Sequence, residues 1–155
     1  MPNDRGRQIF DLQQYLAEAR RLHEQGEIVE AIWCYETVLR DPSATRALPT
    51  LRQAAIELSV LLISEIPRSD DSTRKLRLAD RAVTVLCRAA KQGEIDTALR
   101  LALAEAHAAR YELLDQPQDV LSANLLLDEL AQAKETLPQP LQAQLDSLRI
   151  RLARR

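Results

Sequence analysis

Glycine is nearly missing from this chain, which has three, at positions 6, 26 and 93. Such spacing cannot build the glycine-rich loop that cradles phosphates, so nucleotide binding by that device is excluded. Cysteine is as scarce. Cys34 and Cys87 lie far apart, form no CxxC pair and fall inside helical patterns. They read as reduced thiols of a cytoplasmic protein, not as a disulfide framework or a thiolate metal site. Aromatic residues make up 3% of the chain, too few to interleave with basic residues as nucleic-acid platforms require. No apolar run approaches the roughly 18 residues that span a bilayer, and the opening MPNDRGRQIFDLQQ lacks the apolar segment of a secretory signal. The net charge of −2 provides no overall field that would steer the molecule to nucleic acid or to an anionic membrane. Neither nucleic-acid binding nor membrane insertion is expected.

What is present is helix-forming. Hydrophobic residues make up 46% and charged residues 28% of 155, with a surplus of Leu, Ala, Gln, Glu and Arg and few β-branched runs, so an all-α single domain over 1–155 is expected. Leu12, Tyr15, Leu16, Ala19 and Leu22 recur at helical spacing and predict helix 1 from Gln8 to Gln25, ended by Gly26. Helix 2 carries Ile28, Ala31, Ile32, Tyr35, Val38 and Leu39 inward and stops before Asp41-Pro42. Helix 3 is expected over 44–66, or from near Ala47 because Pro49 is tolerable only in its first turn, with Pro67 as its break. Ser69 or Asp70 is the expected cap of helix 4, which runs to Gln92 and is closed by Gly93. Helix 5 takes 94–115, helix 6 takes 118–136 and helix 7 runs from 138 towards the C-terminus. The predicted hairpins are 8–40, 45–92 and 94–136, with a capping helix over 138–153.

One spacing repeats along these helices. A residue, another four later and a third three later gives Tyr15, Ala19, Leu22, then Leu51, Ala55, Leu58, then Ala104, Ala108, Tyr111 in the odd helices. The even helices carry Ala31, Tyr35, Val38, then Ala82, Leu86, Ala89, then Ala123, Leu127, Leu130. Small residues at these places let neighbouring helices approach closely. With Gly26 at the turn, Ala31 and Tyr35 in the second helix and Pro42 after it, the pattern resembles the tetratricopeptide repeat (TPR) family. That resemblance implies antiparallel hairpins stacked as a short right-handed solenoid of about seven helices. It implies a protein-interaction scaffold, adaptor or assembly factor holding a peptide or amphipathic helix in a concave groove. A second reading is a small TPR-like chaperone that shields aggregation-prone subunits. Neither is an enzyme.

The family's groove-facing places fall on Gln13, Leu16, Arg20, His23 and Glu24 of helix 1 and on Arg52, Ile56, Ser59 and Val60 of helix 3. The core stripe of helix 3 is Leu51, Ala55, Leu58 and Leu62, and Ile56, Val60 and Ile63 form a second apolar stripe. Either neighbouring helices cover that stripe or it opens as the partner-binding groove; closure by a second copy of the chain, as a homodimer, is a further possibility. The expected partner-binding residues are therefore Leu16, Arg20, His23, Arg52, Ile56, Val60 and Ile63. No cofactor is expected. His23 and Glu27 are separated by the turn and have no further ligand to complete a metal set. His107, among alanines, reads as a hydrogen-bonded packing residue, and Cys34 as an apolar filler with no base poised to activate it. Trp33 is either an exposed anchor or a hairpin-packing residue. Arg149, Arg151, Arg154 and Arg155 read as complementing the negative end of the last helix, the alternative being an anion or RNA contact, which the lack of interleaved aromatics disfavours.

Overall fold

In the computed structural model, which describes residues 4–132 and 136–154, the chain is helical and contains no strand among those residues. The helices are α1 (Asp4–Glu24), α2 (Ile28–Arg40), α3 (Leu48–Glu65), α4 (Ser72–Ala90), α5 (Thr97–Leu114), α6 (Pro117–Ala131) and α7 (Gln139–Ala153), with short 3-10 turns at Pro42–Arg46 and Ile66–Arg68. Successive helices pair as hairpins, α1 with α2, α3 with α4 and α5 with α6. The odd helices α1, α3, α5 and α7 also touch in series. This is the stacked-hairpin architecture the repeat spacing predicts, with α7 closing one end.

Each joint follows from its local chemistry. Gly26 adopts φ +80 and closes α1 in a Schellman arrangement, its N–H donating to the carbonyl of His23 at 3.0 Å while Glu27 N–H reaches Leu22 at 2.9 Å. A Cβ at Gly26 would meet no atom within 4 Å, so the backbone alone resists substitution. Gly26→Ala is expected to cost about 1–2 kcal/mol, the penalty of the left-handed region, read as a lowered midpoint in urea unfolding. Gly93 also has a positive φ, +156, and a Cβ there would in addition sit 3.2 Å from Leu48 Cδ2 and Arg52 Nη2. Its neighbour Glu94 offers its carbonyl to the Arg52 guanidinium, which ties the start of α3 to the loop before α5.

Several expected boundaries move. The chain from Pro42 forms a 3-10 turn capped by Asp41, whose Oδ1 accepts from Ser43 N–H at 2.8 Å, and α3 begins only at Leu48 with Pro49 in its first turn. Helix 4 is capped by Asp71, not by Ser69 or Asp70. The Asp71 carboxylate accepts from Thr73 N–H at 2.9 Å, whereas the Ser69 hydroxyl accepts from Asp71 N–H and so shapes the turn before it. α4 ends at Ala90 and α5 starts at Thr97, where Asp96 Oδ1 accepts from Leu99 N–H at 2.8 Å. α6 ends at Ala131; part of the longer helix expected there, residues 133–135, lies outside the described residues.

Among the described residues, most of the buried apolar side chains gather in two clusters. The larger takes Leu12, Leu16 and Ala19 of α1, Ala31, Tyr35 and Val38 of α2, and the inner faces of α3 and α4. The smaller joins Ala123, Leu127 and Leu130 of α6 to Leu145, Leu148 and Leu152 of α7. α5 belongs to both, giving Leu99, Leu103 and Ala106 to the first and Leu101, Ala104 and Ala108 to the second. Its alanines are what allow close approach on two sides.

Candidate functional site

The core stripe of α3 is buried as expected, since Leu51, Ala55, Leu58 and Leu62 all lie inside. The second stripe is only partly covered, with Ile56 and Ile63 packed against the edge of the larger apolar cluster. Val60 is 56% exposed, and Ile56 and Ile63 are half-buried. These three side chains form one wall of a groove of about 460 Å³ whose other walls come from Ala98, Leu101 and Ala102 of α5 and Leu141 of α7. Glu105, Gln144, Ser59 and Ser64 supply its polar edge. The Ser59 and Ser64 hydroxyls donate to the carbonyls of Ile56 and Leu61, both at 2.7 Å, which satisfies them within the helix and leaves the surface between them apolar.

Ion pairs tie the groove's helices to one another and to their neighbours. Arg20 Nε donates to Glu57 Oε1 at 2.7 Å and bridges α1 to α3; the same bond raises the Arg20 pKa further and keeps it cationic. Arg151 of α7 donates to Glu105, on the groove's edge, at 3.0 Å and to Glu112 at 2.6 and 2.9 Å. Arg149 donates to Asp128 at 3.0 Å. These C-terminal arginines therefore clamp α7 onto α5 and α6, a larger role than complementing the end of their own helix.

The seven expected partner-binding residues do not form one surface. Ile56, Val60 and Ile63 come together in the groove. Leu16 does not join them: at 6% exposure it is part of the core, because its place on α1 turns towards α2. Arg20 is engaged with Glu57, Arg52 with the loop before α5, and His23 is half-buried near the end of α1. This groove lies between α3, α5 and α7, and Leu16, Arg20, His23 and Arg52 do not line it. Ala98, Leu101, Ala102 and Leu141 are the apolar wall residues that sequence reasoning missed. Small residues on the flank of helix 5 were the available signal, whereas Leu141 carries none until the distant α7 is placed.

A second polar cluster lies under the hairpin of α5 and α6. Asp119, 1% exposed, accepts from Arg110 Nε at 3.0 Å and from Arg110 Nη2 at 2.8 Å, and its Oδ1 lies 2.9 Å from His107 Nδ1. Arg110 also reaches Asp80 of α4 at 3.3 Å. Burial would push the Asp119 carboxyl up, but the Arg110 and His107 bonds outweigh it and hold it below the usual carboxylate range. His107 has the hydrogen-bonded packing role expected of it. Cys34 is buried, and burial raises its thiol pKa, while Trp33 is 60% exposed. Among the described residues no group of three or more His, Cys, Asp or Glu is arranged to hold a metal, and no helix is long and apolar enough to cross a membrane.

No protein-family model matches the chain, and no curated protein matches it. A solved structure similar to it is that of a thermophilic TPR protein from Thermus thermophilus, 20% identical, with 92% of this chain and 97% of that chain covered at a TM-score of 0.34. Likeness at that level adds nothing to the hairpin geometry described above. The stacking of helices and the groove they leave stand on this chain's own contacts.

Proposed function

We propose that the chain is a protein-interaction scaffold whose α3, α5 and α7 groove receives the apolar face of a partner's amphipathic helix. The observation that carries this is the incompletely covered stripe Ile56, Val60 and Ile63 on an odd helix, which lines one groove with small residues of α5. From Ile56 to Ile63 the wall extends about 10 Å along α3, two turns of helix, which suits an anchor set at i, i+3, i+4 and i+7. The alanines at 98 and 102 leave depth for anchors larger than themselves.

The test is a variant with Ile56→Asp and Val60→Asp. Both side chains lie outside the fully buried core, so the helical circular dichroism is expected to stay unchanged, while capture of an amphipathic-helix partner falls at least about tenfold, as expected when charge is placed against an apolar anchor. Unfolding of the variant would show that the stripe is core. Loss of self-association in sedimentation, with no change in capture of other proteins, would show that a second copy fills the groove.

A further inference from the structure

The net charge of −2 conceals a strongly uneven distribution. α4 carries five basic residues and one acidic residue. At 100° per residue, Arg74, Arg77, Arg81, Arg88 and the adjoining Lys91 fall within an arc of about 100° and form a row about 25 Å long. Arg74, Arg77, Arg88 and Lys91 are exposed and form no ion pair among the described residues. Asp80, the one acid of the helix, is held by Arg110. The row passes over a small pocket between α2 and α4, about 50 Å³, rimmed by Arg40, Arg81, Arg88 and Thr84 and floored by apolar residues including Leu51 and Val85. Glu36 already shows what this rim binds: its carboxylate accepts from Arg81 at 2.7 Å and from Arg40 at 3.2 Å, leaving Arg88 with no acid of its own.

We infer that the solvent face of α4 is a docking strip for an acidic segment of another protein, seated by one small aliphatic side chain in the pocket between α2 and α4. Arginine forks match carboxylates in two-bond geometry, and unpaired cations lie on both sides of the pocket, so acidic residues are required before and after the aliphatic one. The pocket has about a third of the roughly 150 Å³ that accommodates a benzene ring, which limits the anchor to a residue such as valine. The apolar floor is what separates a protein segment from other polyanions. A sugar-phosphate backbone has no aliphatic group to place there, and α4 has no aromatic residue on which bases would stack. A flat anionic membrane would meet a single row of cations with no exposed apolar side chain on α4 to insert.

A fluorescent peptide of glutamates around one central valine tests this by anisotropy with the full chain. It is expected to bind, to weaken as salt rises, and to lose about tenfold in affinity with Arg77→Glu and Arg88→Glu combined. Replacing the peptide's valine by serine is expected to lose a further factor of about ten, the worth of one buried aliphatic side chain. The groove variant Ile56→Asp with Val60→Asp should bind the peptide unchanged, which separates this strip from the groove. Because Arg77 and Arg88 are exposed, circular dichroism should confirm that their charge reversal leaves the fold intact; if it does not, Arg77→Gln with Arg88→Gln takes its place, with an expected loss of about threefold. No binding of the peptide, equal binding of the valine and serine peptides, or affinity indifferent to the arginines overturns the inference. So does preferential binding of a duplex RNA oligonucleotide or of phosphatidylserine vesicles.

Discussion

Asp119→Ala is expected to lower stability by about 3 kcal/mol, the lower end of the 3–5 kcal/mol lost when one partner of a buried ion pair is removed. The carboxylate is 1% exposed and takes bonds from both Arg110 and His107. Without it, Arg110 keeps a fallback in Asp80, and its side chain is 25% exposed, which is why the lower end applies. For a chain of this length the loss corresponds to a melting midpoint lower by on the order of 10 °C. Asp119→Asn keeps the volume but not the charge and should fall between the two. The pH dependence has a definite sign. The folded carboxyl titrates below its ordinary 3.8, so its contribution is complete above that value and is lost as the pH falls through the depressed folded pKa. The melting curves of the natural chain and of Asp119→Asn should therefore converge in acid. Curves that stay parallel from neutral to acidic pH would show that the charge of Asp119 is not what holds α5 to α6.

The second large effect is Tyr35→Ala, expected to cost about 3–5 kcal/mol, the usual loss for a large aromatic ring deleted from a packed core. Tyr35 is 1% exposed and is, among the described residues, the largest of the fully buried side chains, placed in α2 among residues of the larger apolar cluster. Its hydroxyl matters far less than its ring, so Tyr35→Phe should lie within about 1 kcal/mol of the natural chain. Burial, with Glu57 adding to it, pushes the hydroxyl up to about 12. Because the folded value is raised above the ordinary 10.0, the associated stability is complete below that pH and drains away as the pH rises towards 12. Urea unfolding of the two variants distinguishes ring from hydroxyl. A Tyr35→Phe loss as large as that of Tyr35→Ala would refute the packing account.

Most of the architecture was legible because it depends on local rules. Gly26, Pro42 and the four-then-three spacing mark the first hairpin; Ala31, Tyr35, Val38 and Leu39 of helix 2 and the core stripe of helix 3 are buried as their periodicity requires, whereas Ile28 and Ile32 are half-buried and Tyr15 is exposed. Joints were less legible where two short polar residues competed for one cap. Asp71 prevails over Ser69 and Asp70 because its carboxylate reaches Thr73 N–H, while the Ser69 hydroxyl is taken up by the preceding turn. The groove was half visible. Ile56, Val60 and Ile63 could be read as a stripe on one helix, but Leu141 faces them only through the placement of α7 almost eighty residues later. Leu16 misled because one helix face can supply both groove and core, and on α1 the larger neighbour is α2. The basic row on α4 was present in the spacing of Arg74, Arg77, Arg81 and Arg88, yet a near-neutral total charge hid it.

α5 contributes one flank to each apolar cluster, and this has a consequence for how the molecule comes apart. A chain of stacked hairpins ordinarily frays from its ends, each unit contacting only its neighbours. Here neither cluster can lose α5 without exposing part of the other, so the seam between the two halves is also their common support. Amide hydrogens along α5 should consequently be among the slowest to exchange, opening only in the event that dissolves both halves together.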